Sequence, residues 1–269
     1  MGDGRYTSAM TTKLMGIVNV TPDSFSDGNR YFAPDVATRR VAELFAAGAA
    51  LVDIGAESTR PQATPLTSDQ EWRRLQPVLD VVMPAYPNRL SIDSRHPETI
   101  DRLARAYGSR FLINDVSGFN DPQMIAVAAR HGLGCIVSHL PAAVGTDIQA
   151  AHAGSLLGDL DTVTRELLTR HGELVTAGVS PEGIILDPGI GFGKTPELNQ
   201  RLLRFPAELP GYPVLLGYSR KRFLGDDRFE IEPNLAAGRI AIAAGAAYLR
   251  VHDVAAHAAL PAELSGSAA

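Results

Sequence analysis

Short apolar runs alternate with longer amphipathic stretches along nearly the whole chain. Runs rich in Val, Ile and Leu occupy residues 14–20, 50–54, 89–92, 111–114, 134–138, 183–186, 213–216 and 247–251. Several are apolar at consecutive positions, the pattern of a parallel strand covered on both faces. Between them apolar residues recur at helical spacing. Val36, Val41, Leu44 and Phe45 form one stripe. Trp72, Leu75, Val78, Leu79 and Val82 form another, with Ser68, Asp69 and Glu71 as its capped start. Further helices are predicted over 97–107, 122–131, 157–177, 196–203, 235–246 and 253–263. Gly48, Gly108, Gly132, Gly178 and Gly245 fall where helices should stop, because a left-handed cap residue is least strained as glycine. Strand followed by helix, eight times in about 250 residues, predicts an α/β fold, a single-domain (β/α)8 or TIM barrel. It should span residues 14–264, with 1–13 and 265–269 outside the fold. The competing reading is an open doubly wound sheet; the absence of Gly-x-Gly-x-x-Gly after the first strand weighs against its dinucleotide-binding form.

Composition narrows the function. The 269 residues are 45% apolar and 20% charged, with a formal charge of −5. No apolar run reaches the roughly 18 residues of a membrane-spanning helix, so no membrane partner is expected. The mildly acidic balance argues against a nucleic-acid partner. A single cysteine, Cys135, excludes an intrachain disulfide and a cysteine-rich zinc site. Residues 1–12 are polar and lack the apolar stretch of a signal peptide, so a cytoplasmic location is expected.

In a barrel the functional groups gather at the carboxyl ends of the strands, and here every such end is polar. A lone Asp at such a place commonly caps a helix or forms a turn; eight polar ends together point to a pocket. Asp93, Asn114, Asp187 and Lys221 suit a flat heterocycle with alternating donors and acceptors, since buried carboxylates match paired N–H donors. A Lys–Asp pair that merely ties strands together is the structural alternative. Asn19, Arg60, Arg250 and His252 suit phosphate oxygens, and Asn19 offers an oxygen to magnesium; surface charge on loops is the bland alternative. Residues 187–195, Asp-Pro-Gly-Ile-Gly-Phe-Gly-Lys-Thr, superficially suggest a phosphate loop, but Pro188 stands where its first glycine belongs. Those glycines fit close backbone approach to a planar ligand better. His139, at a strand end, reads equally as a supporting hydrogen bonder or a catalyst. His131 and His171 read as cations near helix ends.

Residues 15–28, Met-Gly-Ile-Val-Asn-Val-Thr-Pro-Asp-Ser-Phe-Ser-Asp-Gly, resemble the opening signature of the dihydropteroate synthase family. Residues 53–61, Asp-Ile-Gly-Ala-Glu-Ser-Thr-Arg-Pro, resemble its second. Residues 91–94, 114–118, 187–194, 217–221 and 250–254 continue the series in order, over nearly the whole chain. The resemblance implies a TIM barrel of folate biosynthesis that condenses 6-hydroxymethyl-7,8-dihydropterin diphosphate with 4-aminobenzoate, giving 7,8-dihydropteroate and pyrophosphate. Asp93, Asn114, Asp187 and Lys221 would hold the pterin. Asn19, Arg60, Arg250 and His252 would hold the diphosphate, with Mg2+ at Asn19. Thr59, Pro61, Phe192 and Ser219 would border the aminobenzoate. Asp93, Lys221 and Arg250 would be the catalytic set, stabilising a methylene cation and its leaving group. Loops 21–32 and 57–65 would close over the site. Sulfonamides would inhibit, and a homodimer is expected. Departures are Ser138 for the usual Met, Ala56 and Gln62 for Gly, Leu198 for His, and a short 225–235 segment. The alternatives are a pterin-binding paralogue without synthase activity and a methyltetrahydrofolate-dependent methyltransferase barrel.

Overall fold

The computed structural model describes residues 11–21, 34–58, 63–141 and 156–265. Eight parallel strands form the sheet: β1 (Lys13–Asn19), β2 (Leu51–Gly55), β3 (Leu90–Asp93), β4 (Phe111–Asp115), β5 (Gly134–Ser138), β6 (Ile184–Asp187), β7 (Leu215–Leu216) and β8 (Tyr248–Val251). Their spatial order is β6-β5-β4-β3-β2-β1-β8-β7. A parallel bridge between Leu186 and Val214 joins the two ends into a barrel. The helices are α1 (Pro34–Ala46), α2 (Ser68–Ala85), α3 (Pro97–Tyr107), α4 (Pro122–His131), α5 (Leu160–Ala177), α6 (Pro196–Arg201), α7 (Ile231–Ala243), α8 (Val254–His257) and α9 (Leu260–Ser265). The expected barrel is the observed one.

Several boundaries differ from expectation for local reasons. The cap of α2 is Thr67, not Ser68: its side chain accepts from Gln70 N while the Gln70 side chain accepts from Thr67 N. That reciprocal pair satisfies two amides the helix leaves open. Helix α7 begins at Ile231 rather than residue 235, because Pro233 lies in the first turn, where a missing N–H costs nothing. The last helix is two short pieces, the second opening on Leu260 and Pro261. His171 lies six residues before the end of α5, edge-on to Tyr212, and is not a terminal cation.

Strand periodicity explains where the polar groups go. Met15, Leu51, Ile136, Ile185 and Leu215, with Leu112 and Tyr248 packed on them, form an apolar cluster separate from the main core. It gathers side chains from seven strands, so it is the packed floor of the barrel interior. The residue two positions further along a strand faces the same way. Leu51 therefore leads to Asp53, Leu112 to Asn114, Ile136 to Ser138, Ile185 to Asp187 and Tyr248 to Arg250. A layer of polar groups sits directly on the apolar floor. The larger cluster lies between strands and helices, where Trp72, Leu75 and Leu79 of α2 are buried.

Candidate active site

Arg250 organises the polar layer. Its Nε lies 2.7 Å from Asp53 Oδ2, and its Nη2 reaches Asp53 Oδ2 at 2.7 Å and Asp93 Oδ2 at 3.0 Å. Asn114 Nδ2 donates to the same Asp53 oxygen at 2.9 Å. One fully buried carboxylate on β2 thus orients groups on β4 and β8, while its other oxygen is buried without a hydrogen-bond partner. Asp53 was visible in the sequence at a strand end but was not placed in the site. The signal was an acid one β-period beyond an inward leucine.

Asp187 ends β6. Its Oδ1 accepts Gly189 N at 2.8 Å, and Oδ2 accepts the Ser138 hydroxyl at 3.3 Å. Ser138, the residue that departs from the family pattern, is therefore a buried donor to a carboxylate rather than an apolar wall. A Cβ at Gly217 would lie 3.8 Å from Asp187 Oδ2 and 3.9 Å from Arg250 Cδ, so β7 leaves into the cavity between these two side chains. Lys221 stands 4.2 Å over the Phe192 ring, an attraction of cation for π-face.

These groups perturb one another. Burial and neighbouring Asp53 raise Asp93 to about 8, with Arg250 opposing. Burial and then Arg250 lower Lys221 to about 8, with Asp187 and Asp93 opposing. Burial raises Asp187. Such mutual influence requires that these groups lie close together at one end of the barrel, and displaced acids and amines are a mark of functional sites.

Other residues build the frame. Asp115, next to Asn114 but facing away, accepts from Ser117 N, the Ser117 hydroxyl and Phe119 N, and so fixes the β4 exit. Lys194 is buried, with Nζ 2.9–3.1 Å from the carbonyls of His139, Gly189 and Phe192. It staples the glycine loop internally, its ammonium donors spent on carbonyls of the protein itself. His139 is a supporting group: its Nε2 contacts Glu166 Oε2 at 3.1 Å, and burial drives it down to about 2, leaving it neutral. Asn234 of α7 was missed in the sequence. Its Oδ1 accepts Arg220 N, and its Nδ2 donates to Arg228 O and Glu230 O. Arg220 has a positive φ of 61°, so Asn234 holds a strained turn that presents Ser219 and Lys221. His252 Nδ1 lies 3.0 Å from Ser219 Oγ.

Asp93, Asn114, Asp187, Lys221, Arg250 and Phe192 thus meet at one mouth, with Ser219 and His252 paired at the end of β8 and β7. Asn19 lies at the β1 end, in register with Gly55. Thr59, Arg60, Pro61 and Gln62 lie outside the described residues, as do residues 22–32 of the first loop.

The pterin binding enzyme family model matches residues 15–252. A dihydropteroate synthase from Synechocystis is 37% identical over 264 residues, covering 94% of this chain and 89% of its own. A Xanthomonas albilineans dihydropteroate synthase structure with 4-aminobenzoic acid superposes with a TM-score of 0.82 at 37% identity, covering 96% and 93%. One from Anaplasma phagocytophilum, with bound 6-hydroxymethylpterin-monophosphate, gives 0.83 at 30% identity, covering 96% and 100%. Strand-end chemistry, barrel and sequence agree, and the chain belongs to the dihydropteroate synthase family of pterin binding enzymes.

Proposed function

We propose that this cavity condenses 6-hydroxymethyl-7,8-dihydropterin diphosphate with 4-aminobenzoate, forming 7,8-dihydropteroate and releasing pyrophosphate. The observation that carries the reading is the Asp53–Arg250–Asp93 bridge beside Asp187 and Lys221 on the barrel floor. Asp93, Asp187 and Asn114 present oxygens and an amide to the ring's N–H donors, and Lys221 donates from the side bounded by Phe192. Breaking the C–O bond leaves positive charge on the pterin methylene. Asp93 faces that charge, and buried carboxylates act strongly where water is excluded. The arylamine supplies the attacking electron pair, so no protein nucleophile is required.

Asn19, Arg60, Arg250 and His252 hold the diphosphate in this reading, with Arg250 acting from its anchorage on Asp53 and Asp93. Thr59, Pro61, Phe192 and Ser219 border the aminobenzoate. For Mg2+, Asn19 offers a hard amide oxygen, the right donor type, so the diphosphate oxygens and water would complete the set. Held by Asn19, such an ion would supply positive charge to a leaving pyrophosphate. Among the described residues the one close His–carboxylate group is Glu57, Glu71 and His96; Arg95 already neutralises Glu57 there, and the set suits Mg2+ less well. A cytoplasmic location fits the charged, water-soluble substrates of this reading. No helix among the described residues is long and apolar enough to cross a membrane. A homodimer is supported by Phe229 and Ile231, 64% and 54% exposed at the start of α7.

Pyrophosphate release tests the reading. It should require both the pterin diphosphate and 4-aminobenzoate, and should fall on chelation of Mg2+. Release from the pterin diphosphate alone at the same rate, or none with both, contradicts it and favours a binding paralogue.

A further inference from the structure

Outside the cavity, a second charged cluster links the exits of β2 and β3. Glu57, two residues past β2, accepts Arg95 Nε at 3.2 Å and Nη2 at 2.8 Å on Oε1, and its Oε2 lies 2.8 Å from His96 Nε2. Behind them Glu71 of α2 is fully buried and takes the Ser94 hydroxyl at 2.8 Å. Ser94 Oγ in turn accepts His96 N at 3.1 Å. Ser94, Arg95 and His96, the residues joining Asp93 to α3, are therefore all tethered.

His96 occupies the N-cap of α3, where Ser, Thr, Asp or Asn normally serves, yet it makes no side-chain cap bond. Its imidazole is turned to Glu57 instead. We propose that Glu57, Arg95 and His96, seated on Glu71, form a charged brace that positions the β3 end so that Asp93 meets the pterin. This rests on the reading of Asp93 as a pterin ligand. The charge balance centres on Glu57: its carboxylate faces the Arg95 guanidinium and a protonated His96, while burial raises Glu71 toward its neutral form. An unmatched carboxylate in so enclosed a place is costly.

The groups facing His96 are Glu57 beyond β2, Glu71 on α2 and Arg95 on its own segment. The bond to Glu57 raises the imidazole above its ordinary value, with burial and Arg95 opposing. The His96–Glu57 pair of the brace is thus charged below that raised value and weakens as pH climbs through it. The mechanism makes these positioning residues, not catalytic ones.

Two measurements test the brace in the intact protein. Imidazole NMR, with His96 identified by its loss in His96→Gln, should show a midpoint above about 6.5 that falls in Glu57→Gln. Affinity for the pterin diphosphate should then be compared between wild type and His96→Gln, well below and well above that midpoint. The variant should bind about tenfold more weakly below it, and within about twofold of wild type above it, since there the wild type has also lost the charge. An imidazole midpoint indifferent to Glu57→Gln, or an affinity ratio unchanged across the midpoint, overturns the proposal. A lower melting temperature with an unchanged ratio means a merely structural tie and overturns it too. If wild type fails to bind pterin diphosphate at all, the functional reading fails, while the NMR result still judges the cluster.

Discussion

Asp93 shows how a residue acquires its chemistry from its neighbours. Burial next to Asp53 keeps its proton into the neutral range, although Arg250 pulls the other way. A carboxyl raised in the fold binds more protons folded than unfolded between about pH 4 and 8. Its contribution to stability therefore falls as pH rises through that window. When a pterin offers N–H donors, the ionised carboxylate becomes the better partner, and the proton should leave. Calorimetry near neutral pH in two buffers of different ionisation enthalpy should detect proton release on pterin diphosphate binding. Asp53→Asn should reduce the release, because it removes the charge that holds the proton on Asp93. Identical enthalpies in both buffers would show that Asp93 is already ionised in the free protein. Little of this pairing was legible in the sequence. The strand-end positions of Asp53, Asp93 and Arg250 could be read, but which inward groups pair across the barrel depends on strand stagger, which no linear pattern encodes.

At the scale of elements, strand and helix order was legible because period-2 and period-3.6 patterns differ sharply. Ends were less so. Thr67 escaped because the box it forms depends on Gln70 turning back, and Ser68 looks equally suitable as a cap. The same limit hid Asn234, a polar residue on a helix otherwise rich in small apolar side chains. Its contacts make α7 the support of the β7 turn, so Asn234→Ala should act at two levels. Losing bonds to Arg220, Arg228 and Glu230 should cost about 2 kcal/mol, read by denaturant unfolding. It should also raise KM for the pterin diphosphate through Lys221. Unchanged stability and KM would show that the turn stands without α7. The loop of residues 187–195 illustrates a motif readable only by exclusion. Its spacing denied a phosphate loop, and the structure shows why the lysine is needed anyway: Lys194 binds three carbonyls of its surroundings.

Across the whole molecule, the barrel is continuous from β6 round to β7, but its closure is slight. β7 spans two residues, and the seam to β6 rests on the Leu186–Val214 bridge and Leu186 N bonded to Pro213 O at 2.9 Å. Asp187 lies on one side of this seam and Lys221 on the other, so a ligand gripped by both would tie the barrel shut. Amide exchange should be faster at Leu186 and Leu216 than in β1 to β4, and should slow when pterin diphosphate binds. Equal protection before and after binding would mean that the two sides do not share the ligand. The central claim is that a lysine from the turn after β7 and an arginine of β8 serve one reaction with the acids of β2, β3 and β6. Its most direct test is dihydropteroate formation by folded Lys221→Ala and Arg250→Ala variants, with folding checked by circular dichroism. The account predicts losses in kcat/KM of about a hundredfold or more for each, the scale of removing a charged transition-state contact. Formation within about twofold of wild type in either variant would contradict it.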